Sequence, residues 1–313
     1  MKHASEKSRL MAAKILETYG LTKSYGRKPV VDDVNMTIYE GDIYGLIGKN
    51  GAGKTTIMKM ISGLAHQTKG EIKLFGNDGT KNILNRIGCL IEQPALFPDM
   101  NASDHLKFYN KLLGITDNSN IKDILDMIGL AGNRKVTKKY SMGMKQRLAI
   151  GIALIGYPDF LLLDEPVNGL DPEGIVEVRN LLIRLNREKN MTILISSHIL
   201  GELSKLSTRY GIIDNGNLLE EFTEEELFEK CKKNITLKTY DVKSAAYVLE
   251  NNLSCTDYKV VDESTIYIYD HLDEVSVINK ALVEAGIAVD GIGVKGQDLE
   301  EYFMDRMGGK SNE

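Results

Sequence analysis

From Lys14 onward, short apolar runs alternate with amphipathic stretches, and turn-forming or charged residues separate them. The runs at 34–39, 43–47, 88–92, 160–163, 192–196 and 210–213 have the length of strands and predict β-structure. Leu161-Leu162-Leu163 and Ile193-Leu194-Ile195 are apolar without alternation. A half-exposed strand would alternate, so these runs suit parallel strands covered on both faces. Strands interleaved with helices give an α/β layer architecture.

The pattern changes twice. Over about 95–157 a helical period dominates, with helices predicted at 103–113 and 121–128, stopped by Gly114 and Gly129. This block reads as a helical subdomain inserted into the α/β fold. Later, an acidic helix at 223–230 follows Asn215-Gly216. Beyond it come a strand at 235–239, a helix at 242–250, a strand pair at 258–261 and 265–269, a helix at 274–285 and a strand at 288–294. That order is βαββαβ, the ferredoxin-like arrangement. A helix at 298–307 closes it. The expected organisation is a main domain over 14–222 and a small C-terminal α+β domain over 223–313. Residues 1–13 are polar and aperiodic, which suits a mobile tail, and Met11 offers an alternative start.

Chemistry enters at Gly48-Lys49-Asn50-Gly51-Ala52-Gly53-Lys54-Thr55, which fits GxxxxGK[ST]. It follows the apolar run 43–47 and opens a helix at 55–62, the strand–turn–helix context a phosphate loop requires. Glycines let backbone wrap closely around phosphate oxygens, and N–H groups at a helix start attract anions. The candidate phosphate-binding set is Gly48, Asn50, Gly51, Gly53, Lys54, Thr55 and Thr56. Lys54 brings a full charge to the β- and γ-phosphates, and the Thr55 hydroxyl suits Mg²⁺.

Asp164 ends the apolar run 160–163, where an ionised carboxylate needs a counter-charge such as Mg²⁺. Glu165, one residue further, is placed to polarise a water for attack on the γ-phosphate. Alone, Asp-Glu is an ordinary polar strand end; beside a phosphate loop it defines a P-loop nucleotide-binding protein, without giving its class.

The class comes from Tyr140-Ser141-Met142-Gly143-Met144-Lys145-Gln146-Arg147, just upstream of the Asp164 strand. Here the chain resembles the ABC ATPase family, whose signature is usually LSGGQ followed by a basic helix. Ser-x-Gly in isolation is a plain helix cap. The resemblance covers about 14–222 and implies a P-loop NTPase cassette with a role for each matching position. Ser141 and Gly143 would bind the γ-phosphate of ATP held by a second copy. Gln93 would contact Mg²⁺ or water and link to the helical insert. Asp171, in Asn168-Gly169-Leu170-Asp171, would join the two copies. His198 would hold the γ-phosphate, and Tyr25 would stack on adenine, with Tyr19 and Tyr44 left as packing residues. Met142 and Met144 depart from the signature's glycine and glutamine. Ser-Met-Gly-Met-Lys-Gln-Arg, and Gly296-Gln297-Asp298-Leu299-Glu300-Glu301-Tyr302-Phe303 near the end, are similar to the exporter branch of bacitracin-resistance and lantibiotic-immunity ATPases.

The resemblance implies ATP and Mg²⁺ as ligands, Glu165, His198 and Gln93 as catalytic residues, and Thr55, Gln93 and Asp164 around the metal. It also implies a head-to-tail dimer sandwiching two ATPs. An integral membrane permease would hold the chain at the cytoplasmic face, with export of a peptide antibiotic or other drug-like molecule as the work done.

Composition narrows the alternatives. A net charge of −5 gives no overall basic field, so nucleic acid is not an expected partner. Cys89, Cys231 and Cys255 are too scattered for a zinc site or a disulfide framework. No apolar run approaches the ~18 residues of a membrane span, and residues 1–14 lack a secretory core, so any membrane role must come through a partner. A non-transport ABC ATPase is the main alternative. Repair types need a long coiled coil between phosphate loop and signature, where this chain has about 90 residues without heptads. Translation types carry two cassettes, and this chain has one. Glu165 and His198 argue against a non-catalytic nucleotide sensor, and the lack of an NKxD motif argues against a GTPase.

Overall fold

The computed structural model describes residues 12–76, 83–92, 95–296 and 299–307. Contacts divide it into two compact units, the first running to Glu224 and the second covering Glu225–Asp305.

The first unit is built on two sheets. In the smaller, antiparallel one, β1 (Lys14–Tyr25) pairs with β2 (Lys28–Val34), β3 (Thr37–Tyr39) and β5 (Lys69–Leu74). The larger holds β4 (Ile43–Ile47), β6 (Ile87–Leu90), β7 (Phe160–Asp164), β8 (Thr192–Ser197), β9 (Arg209–Asp214) and β10 (Asn217–Thr223) in the order β10-β9-β4-β8-β7-β6. Its strands are parallel except for the β9–β10 hairpin. Every residue of β4 and β8 is buried, as their unbroken apolar runs require. Leu16, Leu21 and Ile38 of the small sheet share one core with Leu46, Leu162 and Leu194 of the large sheet and with Ile57 and Met58 of α1 (Lys54–Ile61).

The helical block holds α2 (Ala102–Leu112), α3 (Asn120–Met127) and α4 (Met142–Ala153). Gly114 and Gly129 take positive φ values of 75° and 64° where α2 and α3 stop. Leu106, Ile121, Ile124 and Ile155 make its own small core. Arg147 of α4 donates to the carbonyls of Ile128 and Gly129, so α4 satisfies the orphan acceptors at the end of α3. Two further helices, α5 (Pro172–Lys189) and α6 (Leu200–Leu203), flank β8 in sequence.

The second unit starts within α7 (Glu224–Cys231). It continues through β11 (Asn234–Lys238), α8 (Val242–Asn252), β12 (Tyr258–Val260), β13 (Thr265–Ile268), α9 (Val275–Glu284), β14 (Gly291–Lys295) and α10 (Leu299–Arg306). Its sheet order, β12-β13-β11-β14, is the antiparallel ferredoxin-like one. Ile235, Leu237, Ile266 and Ile268 face Ala245 and Leu249 of α8 and Ile278 and Leu282 of α9.

Two expected strands differ. The run 34–39 is split between β2 and β3. The Asn35 side chain bonds backbone groups of Gly20 and Asp33 there, and Asp33 takes a φ of 51°, so local side-chain bonding displaces the ladder. The strand expected at 288–294 starts only at Gly291.

Candidate active site

The phosphate-loop glycines have separate reasons to be glycine. Gly51 and Gly53 have φ values of 84° and 111°, which side-chain-bearing residues avoid. Gly48 has no such angle; a Cβ there would stand 2.4 Å from the Ile213 carbonyl oxygen of β9. Gly48 therefore lets the loop lie against the sheet. Gly53 is the N-cap of α1, and no side chain caps that helix. Its first-turn N–H groups are thus left to serve an anion. A cavity of about 220 Å³ opens here, lined by Val30, Asn50, Gly51, Gly53, Lys54, Thr55, Thr56, Glu165 and Asn168.

Lys54 is 5% exposed, and its ammonium donates to the carbonyls of Gly48 at 2.6 Å and Lys49 at 3.2 Å. It also stands 3.2 Å from Glu165 Oε1. The other Glu165 oxygen, Oε2, lies 2.5 Å from Nδ1 of His198. Glu165 is thus held between a lysine and a histidine, with its backbone at a φ of 50°. Asp164, at the end of β7, accepts hydrogen bonds from Thr55 and Ser196, each at 2.6 Å. The parallel register sets Asp164 directly beside Ser196 of β8.

Lys54, Thr55, Asp164, Glu165 and His198, predicted from separate segments, therefore meet in one place. Asn50, Gly51, Gly53 and Thr56 line one cavity with Lys54, Thr55 and Glu165, while Asp164 and His198 are bonded to Thr55 and Glu165 of that lining. Tyr25 does not: its ring is 60% exposed at the end of β1, with Lys23 over it at 5.0 Å. Gln93 lies outside the described residues. Ser141 caps α4 by accepting from the Met144 N–H, and Asp171 caps α5 by accepting from the Gly174 N–H. A Cβ on Gly143 would come within 3.2 Å of Gly174 Cα, so Gly143 also lets α4 and α5 approach. Neither Ser141 nor Gly143 lines the cavity of its own chain. Three contributors escaped sequence reasoning. Val30 and Ser196 carry no chemical signal in the sequence, and Asn168 carries none beyond its place in Asn168-Gly169-Leu170-Asp171.

A larger depression of about 420 Å³ lies beside α4, with Leu96, Pro98, Thr137, Lys138, Met142 and Lys145 in its wall. Among the described residues its wall holds no carboxylate and no glycine loop, so the smaller cavity is the chemical one.

This geometry agrees with comparisons to known proteins. A family model described as ABC transporter matches residues 31–168. Among solved structures, an ATP-binding subunit of an ABC transporter aligns with a TM-score of 0.59 and 27% identity, over 69% of this chain and 92% of that one. A dimeric post-hydrolysis ATP-binding cassette bound to ADP and Pi shares the fold, with a TM-score of 0.58 and 24% identity over 67% and 99% of the two chains. The chain belongs to the ATP-binding subunits of ABC transporters and is an ATPase whose hydrolysis is coupled to transport. Among the described residues, no helix is long and apolar enough to cross a membrane.

The bacitracin transport ATP-binding protein BcrA of Bacillus licheniformis is 42% identical over 94% of this chain and 98% of its own. The lantibiotic transport ATP-binding protein SrtF of Streptococcus pyogenes is 42% identical over 69% of this chain and 99% of its own.

Proposed function

We propose that this subunit powers export of a peptide antibiotic or similar drug-like molecule through a separate permease at the cytoplasmic face of the membrane. The observation that carries the catalytic part is the grip on Glu165 by Lys54 and His198 beside the phosphate loop. ATP would lie with its phosphates along Gly48–Thr56. Lys54 would then turn from the carbonyls of Gly48 and Lys49 to the β- and γ-phosphates, leaving Glu165 to take a proton from the attacking water. With Nδ1 of His198 on Glu165, its Nε2 is the nitrogen available to a γ-phosphate oxygen.

Thr55 Oγ1 and Asp164 Oδ2 are hard oxygen donors 2.6 Å apart, a donor pair that fits Mg²⁺. When bound there, Mg²⁺ supplies charge neutralisation on the phosphates. Gln93 is proposed to join this set.

The proposed dimer is head-to-tail, each ATP being completed by Ser141 and Gly143 of the other copy, with Asp171 at the joint. Two features support it: the capped, glycine-bearing start of α4, and the distribution of the cavity lining, which leaves Ser141 and Gly143 unused within their own chain. The helical insert around residues 95–140, to which Leu96 and Pro98 of the depression belong, is the proposed seat of the permease. Relatives named for bacitracin and lantibiotic transport support the substrate class.

Glu165→Gln tests the chemistry. Steady-state phosphate release is expected to fall at least about a hundredfold, with ATP still bound and the dimer trapped closed. Normal turnover would remove Glu165 from the role. Expression with the cognate permease in a sensitive host tests the substrate: resistance to bacitracin or a lantibiotic should rise, and should vanish with Glu165→Gln. Unchanged susceptibility across peptide antibiotics would sink the export reading.

A further inference from the structure

We infer that Ser196 is a positioning residue for ATP hydrolysis, one that sets both carboxylates of the site at once. The inference rests on Glu165 acting as the base. Ser196 is fully buried near the end of β8 and aligned with Asp164 across the parallel ladder. Its hydroxyl proton goes to Asp164 Oδ1 at 2.6 Å, and its oxygen accepts the Glu165 backbone N–H at 3.0 Å.

Each bond has a distinct effect. Thr55 already holds Asp164 Oδ2, so the Ser196 bond to Oδ1 fixes the rotation of that carboxylate and keeps Oδ2 turned toward Thr55. Glu165 has a φ of 50°, a left-handed conformation that a side-chain-bearing residue holds only when its surroundings impose it. The Ser196 bond to its N–H is one such imposition. Two residues on, His198 takes the Glu165 side chain at 2.5 Å. The end of β8 therefore fixes Glu165 twice, backbone by Ser196 and carboxylate by His198. Ser197, between them, does something else: its hydroxyl accepts the Ile199 N–H.

The test compares Ser196→Ala, Ser196→Cys and Ser196→Thr, each alone and combined with Glu165→Gln. ATP affinity is read by equilibrium binding and turnover by single-turnover phosphate release. Loss of the hydroxyl in the Ala and Cys proteins should lower the rate about tenfold or more while the Kd for ATP stays within about twofold. The Thr protein, which keeps a hydroxyl, should recover most of the rate. On the Glu165→Gln background, removing the hydroxyl should cost less than it does in the wild-type protein, because only its hold on Asp164 is left to lose. The Cys protein keeps the shape of serine, so it reports even if the Ala protein fails to fold. Full turnover in Ala and Cys, equal losses in Thr and Cys, or losses that multiply with Glu165→Gln would each overturn the inference. Unimpaired turnover by Glu165→Gln alone would instead overturn the proposed base.

Discussion

Lys54 is the residue whose surroundings state its work most directly. Its buried ammonium is held by two carbonyls and a carboxylate, and all three lie at the phosphate loop. Lys54→Ala should therefore weaken ATP binding by at least about tenfold, the scale of one lost charge-assisted bond. Unchanged affinity in a titration with labelled nucleotide would contradict that role. Gly48 makes the opposite case, a motif residue whose contact is with the fold. Because its Cβ would meet the Ile213 carbonyl, Gly48→Ala should lower stability by about 1–3 kcal/mol, measured by unfolding without nucleotide. Wild-type stability with lost ATP binding would show that the glycine serves the ligand alone. Most chemical residues were legible because a carboxylate or lysine is costly in an apolar run unless something answers it. Ser196 was not, since a serine at a strand end carries no such cost until its neighbours are known.

At the scale of elements, the buried parallel strands were readable and the antiparallel sheet was not. β1 mixes Ile15 and Leu16 with Glu17, Thr18 and Tyr19, a pattern with neither unbroken apolarity nor clean alternation. Its bulges against β2, β3 and β5 shift the faces further, so period-two reading fails there. β10 hides in the same way behind Glu220 and Glu221. Glu221 has its own consequence. Its carboxylate accepts from the Tyr44 hydroxyl at 2.8 Å, near Arg209 and Asp42, and burial pushes its pKa above the ordinary 4.5 despite that bond. The folded chain then holds this proton more tightly than the unfolded one. The contribution of Glu221 to stability is therefore most favourable below pH 4.5 and falls as pH rises through its raised value. Glu221→Gln should flatten that limb in thermal unfolding followed against pH. An identical pH profile for the variant would show that Glu221 is not its source.

For the whole molecule, helix-stop glycines such as Gly114 and Gly129 and a change of rhythm after Asn215-Gly216 mark where the pattern of elements changes. Assembly is a different matter. A helix tip capped by Ser141 has the same local chemistry whether or not it ever meets a phosphate. Hydrogen bonds and ion pairs join Lys54, Thr55, Asp164, Glu165 and His198 in one chain, and neither Ser141 nor Gly143 lines the cavity beside them. Completion by a second copy would make ATP the adhesive of the dimer, and hydrolysis its release. The most direct measurement is a structure of the Glu165→Gln protein with Mg²⁺ and ATP. The γ-phosphate should lie within about 2.7–3.2 Å of Lys54 on one copy and of Ser141 Oγ and the Gly143 N–H on the other. An associated form in which ATP is enclosed by one chain, with both signature residues remote from any phosphate, would contradict the account.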